Sequence, residues 1–221
     1  MILKELRQRV WRMNLELKNN NLVTMTSGNV SGRDKNTGYV VIKPSGIKYE
    51  DMRPKDMVIV DLSGKVIEGR LKPSVDTISH LVIYRAKKDI NGIVHTHSNY
   101  ATSFAVLGME IPVYMTAHAD EFGCKIPVTR YASPFPLEDL GNAVVETLNK
   151  SNSNLQAVLV RNHGVFTFGE TPESALKAAV MLEDIAKTCH LALLLGKPKE
   201  LPEREIKKWY TRYHKVYGQK K

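Results

Sequence analysis

The chain has 221 residues, of which 43% are hydrophobic and 25% charged; that balance excludes disorder as the main state, and this length buries enough surface to fold without a disulfide or metal staple. Lys and Arg number 32 against 23 Asp and Glu, a net charge of +9, which favours anionic partners. Cys124 and Cys189 make no paired framework, and no apolar run approaches the roughly 18 residues of a membrane span, so a disulfide scaffold, a cysteine zinc site and a membrane anchor are set aside and a cytoplasmic location is expected.

The N-terminal stretch mixes charge into its apolar residues and lacks a signal-peptide core. Ile2, Leu6, Val10, Met13 and Leu17 recur at helical spacing, and Asn19-Asn20-Asn21 ends that helix. Strand-like runs follow at Val30-Ser31-Gly32, Tyr39-Val40-Val41-Ile42 and Val58-Ile59-Val60-Asp61. The last turns through Ser63-Gly64 into Lys65-Val66-Ile67-Glu68 as a hairpin. A helix is predicted over 76–88, a buried strand over 92–97, and a helix over 99–107 stopped by Gly108. Ile126-Pro127-Val128-Thr129 reads as a short strand, and Leu137, Leu140, Val144 and Leu148 share a face of a helix over 137–148. Ala157-Val158-Leu159-Val160 is a strand running into Arg161-Asn162-His163-Gly164. Thr171-Pro172 opens a long helix as N-cap and first residue, and a last helix begins near Pro202. Strands and helices interleave with no repeat and no linker. The expectation is one domain over 1–221, α/β or α+β, with helices covering a sheet.

His95 and His97 stand two residues apart at the end of an apolar strand, so both imidazoles project to one face. Such a pair is also compatible with two polar residues at an exposed strand end. The apolar run ahead of it and a second strand-end histidine, His163, weigh towards ligands. Three imidazoles with an open fourth position suit a catalytic divalent metal, and Asp76 at a helix start could add a carboxylate. Three turns offer backbone N–H groups and hydroxyls: Thr26-Ser27-Gly28-Asn29, Lys43-Pro44-Ser45-Gly46 and Lys72-Pro73-Ser74. Each alone reads as an ordinary turn; three in the first third of the chain suggest one shared phosphate cradle. His118 and Asp120 sit together in what reads as a loop, solvated or suited to acid–base work. Tyr217 near the terminus has a partner in another subunit or no role.

These motifs, in this order, resemble the class II sugar-phosphate aldolase/epimerase family, and within it the L-ribulose-5-phosphate 4-epimerase branch. The matching stretches run from Gly28-Asn29-Val30-Ser31 through Lys43-Pro44-Ser45-Gly46, Pro73-Ser74-Val75-Asp76-Thr77, His95-Thr96-His97 and His118-Ala119-Asp120 to Asn162-His163-Gly164 and Tyr217-Gly218-Gln219. The resemblance implies a three-layer α/β/α fold with a mostly antiparallel central sheet. It implies one divalent metal per subunit, Zn²⁺ or else Mn²⁺ or Co²⁺, held by His95, His97 and His163 with Asp76 near or on it. It implies a phosphorylated ketopentose bound by Gly28, Asn29, Lys43, Ser45, Gly46, Ser74 and Val75. It further implies that Asp120 and Tyr217 form an acid–base pair completed between subunits of a homotetramer.

Asp76 stands where the family's aldolases carry Glu, which separates the two branches. Val75 stands where epimerases carry a second Ser. Residues 131–140 form a shorter segment than is usual, Met115 and Ala117 replace Thr, and Trp209 occupies a His position. Competing readings are an aldolase or a sugar-acid decarboxylase on the same scaffold, or a binding head without metal, which the three histidines disfavour. A nucleic-acid binder rests on charge alone, with no matching motif.

Overall fold

The computed structural model describes residues 1–136, 138–151 and 155–217. Seven strands, β1 (Asn29–Arg33), β2 (Val40–Ile42), β3 (Val58–Val60), β4 (Val66–Glu68), β5 (Gly92–Thr96), β6 (Ala157–Val160) and β7 (Gly164–Gly169), form one sheet in the order β4-β3-β2-β1-β5-β7-β6. Every neighbouring pair is antiparallel. Seven helices surround it: α1 (Lys4–Asn19), α2 (Thr77–Ala86), α3 (Asn99–Leu107), α4 (Thr116–Phe122), α5 (Glu138–Lys150), α6 (Pro172–Leu195) and α7 (Glu203–Lys215).

Strand alternation divides the core into two layers. On one face Val40, Val58, Val60, Ile93, Val158, Val160, Phe166 and Phe168 meet Leu81, Ile83 and Tyr84 of α2 and Leu140, Val144 and Leu148 of α5. On the other, Ala157, Leu159 and Val165 meet Phe104 of α3 and Leu182 and Ile185 of α6, while Val30 and Val94 meet Met13 and Leu17 of α1. Both faces are buried, so the strands read as continuous apolar runs. The three-layer α/β/α expectation holds.

The long helix starts as its sequence dictates. Thr171 Oγ1 accepts the N–H of Ser174 at 3.2 Å and Ser174 Oγ accepts the N–H of Thr171 at 3.0 Å, with Pro172 following the cap. Gly108 closes α3 at φ 66°. No helix of the described residues is long and apolar enough to cross a membrane.

Three expectations change. Residues 126–129 make isolated bridges, Ile111 with Ile126 and Val128 with Leu159, and no ladder; Pro127 has no N–H to extend one. The predicted loop carrying His118 and Asp120 is helix α4, packed on α7. Strand β7 escaped the sequence reading, and His163 lies in the β6–β7 turn rather than at a strand end. The helix expected from Leu137 begins among described residues at Glu138, and Leu137, Gly218 and Gln219 lie outside them.

Replacing Thr171 with Ala removes the Thr171 Oγ1 half of the reciprocal cap and leaves Ser174 Oγ on the backbone N–H of residue 171. Urea titration is expected to show a loss of about 1 kcal/mol with an unchanged m-value.

Candidate metal centre and active site

Antiparallel register brings the site together. Asn29 of β1 lies opposite His95 of β5, and His95 lies opposite Phe166 of β7. The His95 ring is almost fully buried and stacks on Phe166 with centroids 4.4 Å apart. Its Nδ1 lies 2.9 Å from the carbonyl oxygen of Val165. A carbonyl only accepts, so Nδ1 carries the proton and Nε2 presents a lone pair.

His97 Nε2 lies 3.1 Å from that nitrogen and His163 Nε2 3.3 Å from it. Ligand atoms of all three imidazoles fall within 4.8 Å of one another. Nitrogens about 2.0–2.1 Å from a tetrahedral zinc stand about 3.3 Å apart, so the donor set fits that ion. Burial pushes His97 and His163 down to about 4, with His95 adding to the effect, so both rings are neutral and able to ligate.

His163 reaches the group through the β6–β7 turn, where Asn162 adopts φ 59° and its N–H bonds the Ala105 carbonyl of α3 at 3.0 Å. Gly164 is required there. A Cβ on it would stand 2.5 Å from His97 Cδ2 and 2.5 Å from the Thr96 carbonyl. His97 leads directly into α3, whose N-terminus has no cap from Ser98. Glu183 of α6 takes that role: its carboxylate accepts the N–H groups of Tyr100 and Ala101, each at 2.9 Å. Between segments so distant in sequence, this pairing carries no local signal.

The three turns interlock. Ser45 N–H bonds the Lys72 carbonyl and Ser74 N–H the Lys43 carbonyl, both at 2.9 Å. Lys43 Nζ donates to Thr26 O at 2.6 Å and lies over the Tyr49 ring, whose hydroxyl donates to Ser27 O and Gly28 O. Lys43 is 2% exposed, and burial, partly offset by Asp76, lowers its pKa to about 8. Gly28 has φ 72°, and a Cβ there would stand 2.5 Å from Val23 Cγ1. Ser45 and Gly46 are placed on the turn with open space beside Gly46, Ser74 is buried, and Val75 is 64% exposed.

Asn29, opposite His95 in the sheet, bonds to this cradle. Its Nδ2 donates to Asp76 Oδ2 at 2.6 Å and to Ser74 Oγ at 3.2 Å. Its buried Oδ1 has no partner and is an acceptor left for a ligand. Asp76 lies outside the three-imidazole group, held by Asn29. Burial opposes its ionisation, but the His95 and His80 imidazoles and the Asn29 amide outweigh that and keep its carboxyl below the usual range.

Asp120 and Tyr217 stand apart. Among the described residues no hydrogen bond, ion pair or ring contact joins either to the imidazole group. Asp120 has a buried, unpartnered Oδ1 on α4. Tyr217 is exposed and stacks on Tyr213 at 5.2 Å. His118 is no partner for Asp120: its Nε2 donates to the Cys124 carbonyl at 3.0 Å, and burial lowers its pKa to about 4.

Gly164→Ala is expected to weaken zinc binding at least tenfold, read by chelator competition, because the new methyl displaces His97. In the metal-free protein His80 titrates at about 3 and His97, His118 and His163 at about 4. Below pH of about 6.5 the unfolded chain therefore binds more protons, so stability falls as pH drops from there towards 4. Calorimetric Tm against pH checks that sign.

The family model described as Class II Aldolase and Adducin N-terminal domain matches residues 8–190. An L-fuculose 1-phosphate aldolase structure is 28% identical with TM-score 0.87, over 95% of this chain and 96% of that one. The L-fuculose-1-phosphate aldolase of Thermus thermophilus is 26% identical with TM-score 0.71, over 89% and 98%. The L-fuculose 1-phosphate aldolase of Glaciozyma antarctica, 22% identical with TM-score 0.80 over 95% and 81%, shares the fold. With that model spanning most of the chain, the protein belongs to the class II aldolase and adducin N-terminal domain family.

Proposed function

We propose that this protein is a metal-dependent L-ribulose-5-phosphate 4-epimerase that works by retro-aldol cleavage and re-addition. The observation that carries the reading is the three-imidazole group, with Asn29 opposite His95 in the sheet and bonded through its amide to Asp76 and Ser74 of three interlocked turns. That arrangement supports reading the imidazoles as a Lewis-acid site and the turns as a phosphate cradle.

The C4–H of a 2-ketopentose is not adjacent to the carbonyl, so direct deprotonation there is unstabilised. Breaking C3–C4, turning the aldehyde fragment and re-forming the bond on its other face inverts C4. Zn²⁺, Mn²⁺ or Co²⁺, one per subunit on His95, His97 and His163, would supply Lewis acidity for the charge left on the carbonyl fragment. Asn29, Ser45, Gly46 and Ser74 hold the phosphate, so the aldehyde fragment turns without leaving. Gly28 lets the chain turn there, Lys43 braces the turns from behind and adds positive charge, and Val75 borders the cradle without a hydroxyl. Each face of C4 needs its own proton acceptor for the C4 oxygen, and Asp120 and Tyr217 fill those roles, the Tyr supplied by a neighbouring copy. Their separation from the imidazoles of their own chain supports sites completed between subunits of a homotetramer. The resemblance of Asp76, Ala119-Asp120 and the Tyr217 tail favours epimerase over aldolase. The names of the structural relatives favour the second reading, an aldolase releasing a free aldehyde.

An NMR time course with L-ribulose 5-phosphate and Zn²⁺ decides between them: D-xylulose 5-phosphate, suppressed by a chelator, is expected, and free glycolaldehyde phosphate would favour the aldolase. Asp120→Asn and Tyr217→Phe are each expected to lower epimerisation about 100-fold or more with zinc content unchanged. Equal loss of zinc would remove them from this role.

A further inference from the structure

We propose that Lys177 is a positioning residue that, through Glu121 of α4 and Tyr213 of α7, fixes the Tyr217 phenol relative to the helix carrying Asp120. The proposal rests on reading Asp120 and Tyr217 as the acid–base pair.

Lys177 belongs to α6. Its Nζ stands 2.7 Å from Glu121 Oε2 in an ion pair, and 5.0 Å from the centroid of the Tyr213 ring. The Glu121 side chain is 4% exposed and follows Asp120 directly in α4. A carboxylate buried to that degree is costly without a counter-charge, and Lys177 supplies one from a half-exposed position. The same ammonium lies over the Tyr213 ring. One cation thus holds a side chain of α4 and a side chain of α7. A lysine serving only solubility would need neither contact.

Helix α7 meets α4 at a second point. Gly123 ends α4 at φ 63°, and a Cβ there would stand 2.5 Å from Tyr210 Cδ2. Tyr210 and Tyr213 are three residues apart, so both contacts use one face of α7. Tyr217 continues that face four residues on, its ring stacked on Tyr213 at 5.2 Å with the planes 18° apart. The N–H groups of Val216 and Tyr217 bond the Arg212 carbonyl at 2.9 and 3.0 Å, and the Arg212 guanidinium lies 5.7 Å from the Tyr217 ring. The exposed phenol is therefore tied to the last turn of α7, and α7 is tied to α4. Asp120 and the Tyr217 offered to a neighbouring copy are set by one unit. A proton acceptor works only within hydrogen-bond reach of its oxygen, so loosening that unit lowers turnover more than substrate binding.

The test is ¹⁹F NMR of protein carrying 3-fluorotyrosine, with the Tyr217 resonance assigned by Tyr217→Phe, alongside steady-state epimerisation of L-ribulose 5-phosphate by the zinc-loaded protein. The double variant Lys177→Met with Glu121→Gln removes the ion pair without leaving a buried charge. It is expected to move the Tyr217 resonance towards that of free 3-fluorotyrosine and to lower kcat about tenfold or more, with KM within about twofold and zinc content unchanged. Lys177→Arg keeps a cation for both contacts and is expected to retain the wild-type resonance and most of the turnover. An unmoved Tyr217 resonance, or wild-type kcat, in the double variant overturns the proposal. Should the double variant not fold, Lys177→Gln, which keeps a donor for Glu121 and takes the cation from Tyr213, is read by the same two measurements. Failure of the wild-type protein to epimerise overturns the acid–base reading instead, and the fluorine spectrum then decides whether Lys177 positions Tyr217.

Discussion

The hydrogen bond from His95 Nδ1 to the Val165 carbonyl holds the site in its working form. It fixes one tautomer and one ring orientation, and aims a lone pair out of the sheet. The bond exists because β5 and β7 pair antiparallel with His95 opposite Phe166. A slip of one residue in that register would turn His95 to the opposite layer. The same register sets Asn29 opposite His95 on the other side, so imidazole, amide and carboxylate share one end of the sheet. The close approach at Gly164 leaves His97 room to converge.

Around this row the protein devotes buried polar groups to position. Glu183 caps α3 from α6 and sets the turn that carries His97. Lys43 and Tyr49 knit the glycine-rich turn to its neighbours. Ser31, His80 and Tyr84 form a buried chain between β1 and α2. Interior bonds of this kind hold side chains to one geometry, which a metal centre and a phosphate cradle both need. Asn29 Oδ1, buried and unpartnered, belongs to the residue that bonds Asp76 and Ser74, and Asp120 Oδ1 on α4 is unpartnered too.

The ends of the long helices were legible because caps are local. Thr171-Pro172 and Gly108 act through bonds within four residues and through backbone φ. The histidine pair was legible from its two-residue spacing at the end of an apolar run, although β5 ends at Thr96 and His97 lies just beyond it. The turn motifs were legible as chemistry, and the tertiary structure added that they bond to one another. Pattern alone misled at α4, where a short polar stretch with two alanines gains its helix from packing on α7. It misled again at residues 126–129, where apolar alternation does not outweigh the missing N–H of Pro127. Strand β7 was missed because Gly164-Val165-Phe166-Thr167-Phe168-Gly169 is glycine-flanked and without polar alternation; pairing on both edges makes it a strand.

Taken by itself, the sequence singled out residues able to carry chemistry: three imidazoles, a carboxylate at a helix start, and hydroxyl-bearing turns. Residue type and local spacing suffice for that, because ligand and donor chemistry belong to the side chain. The tertiary structure decided which of them meet. It joined His163 to His95 across 68 residues, left Asp76 tied to Asn29 outside the imidazole group, and kept Asp120 and Tyr217 away from it. It also supplied Glu183, Ser31, His80 and Tyr84, whose roles rest on contacts between distant segments. Such contacts depend on register and packing over the whole sheet, and no local window of sequence contains them.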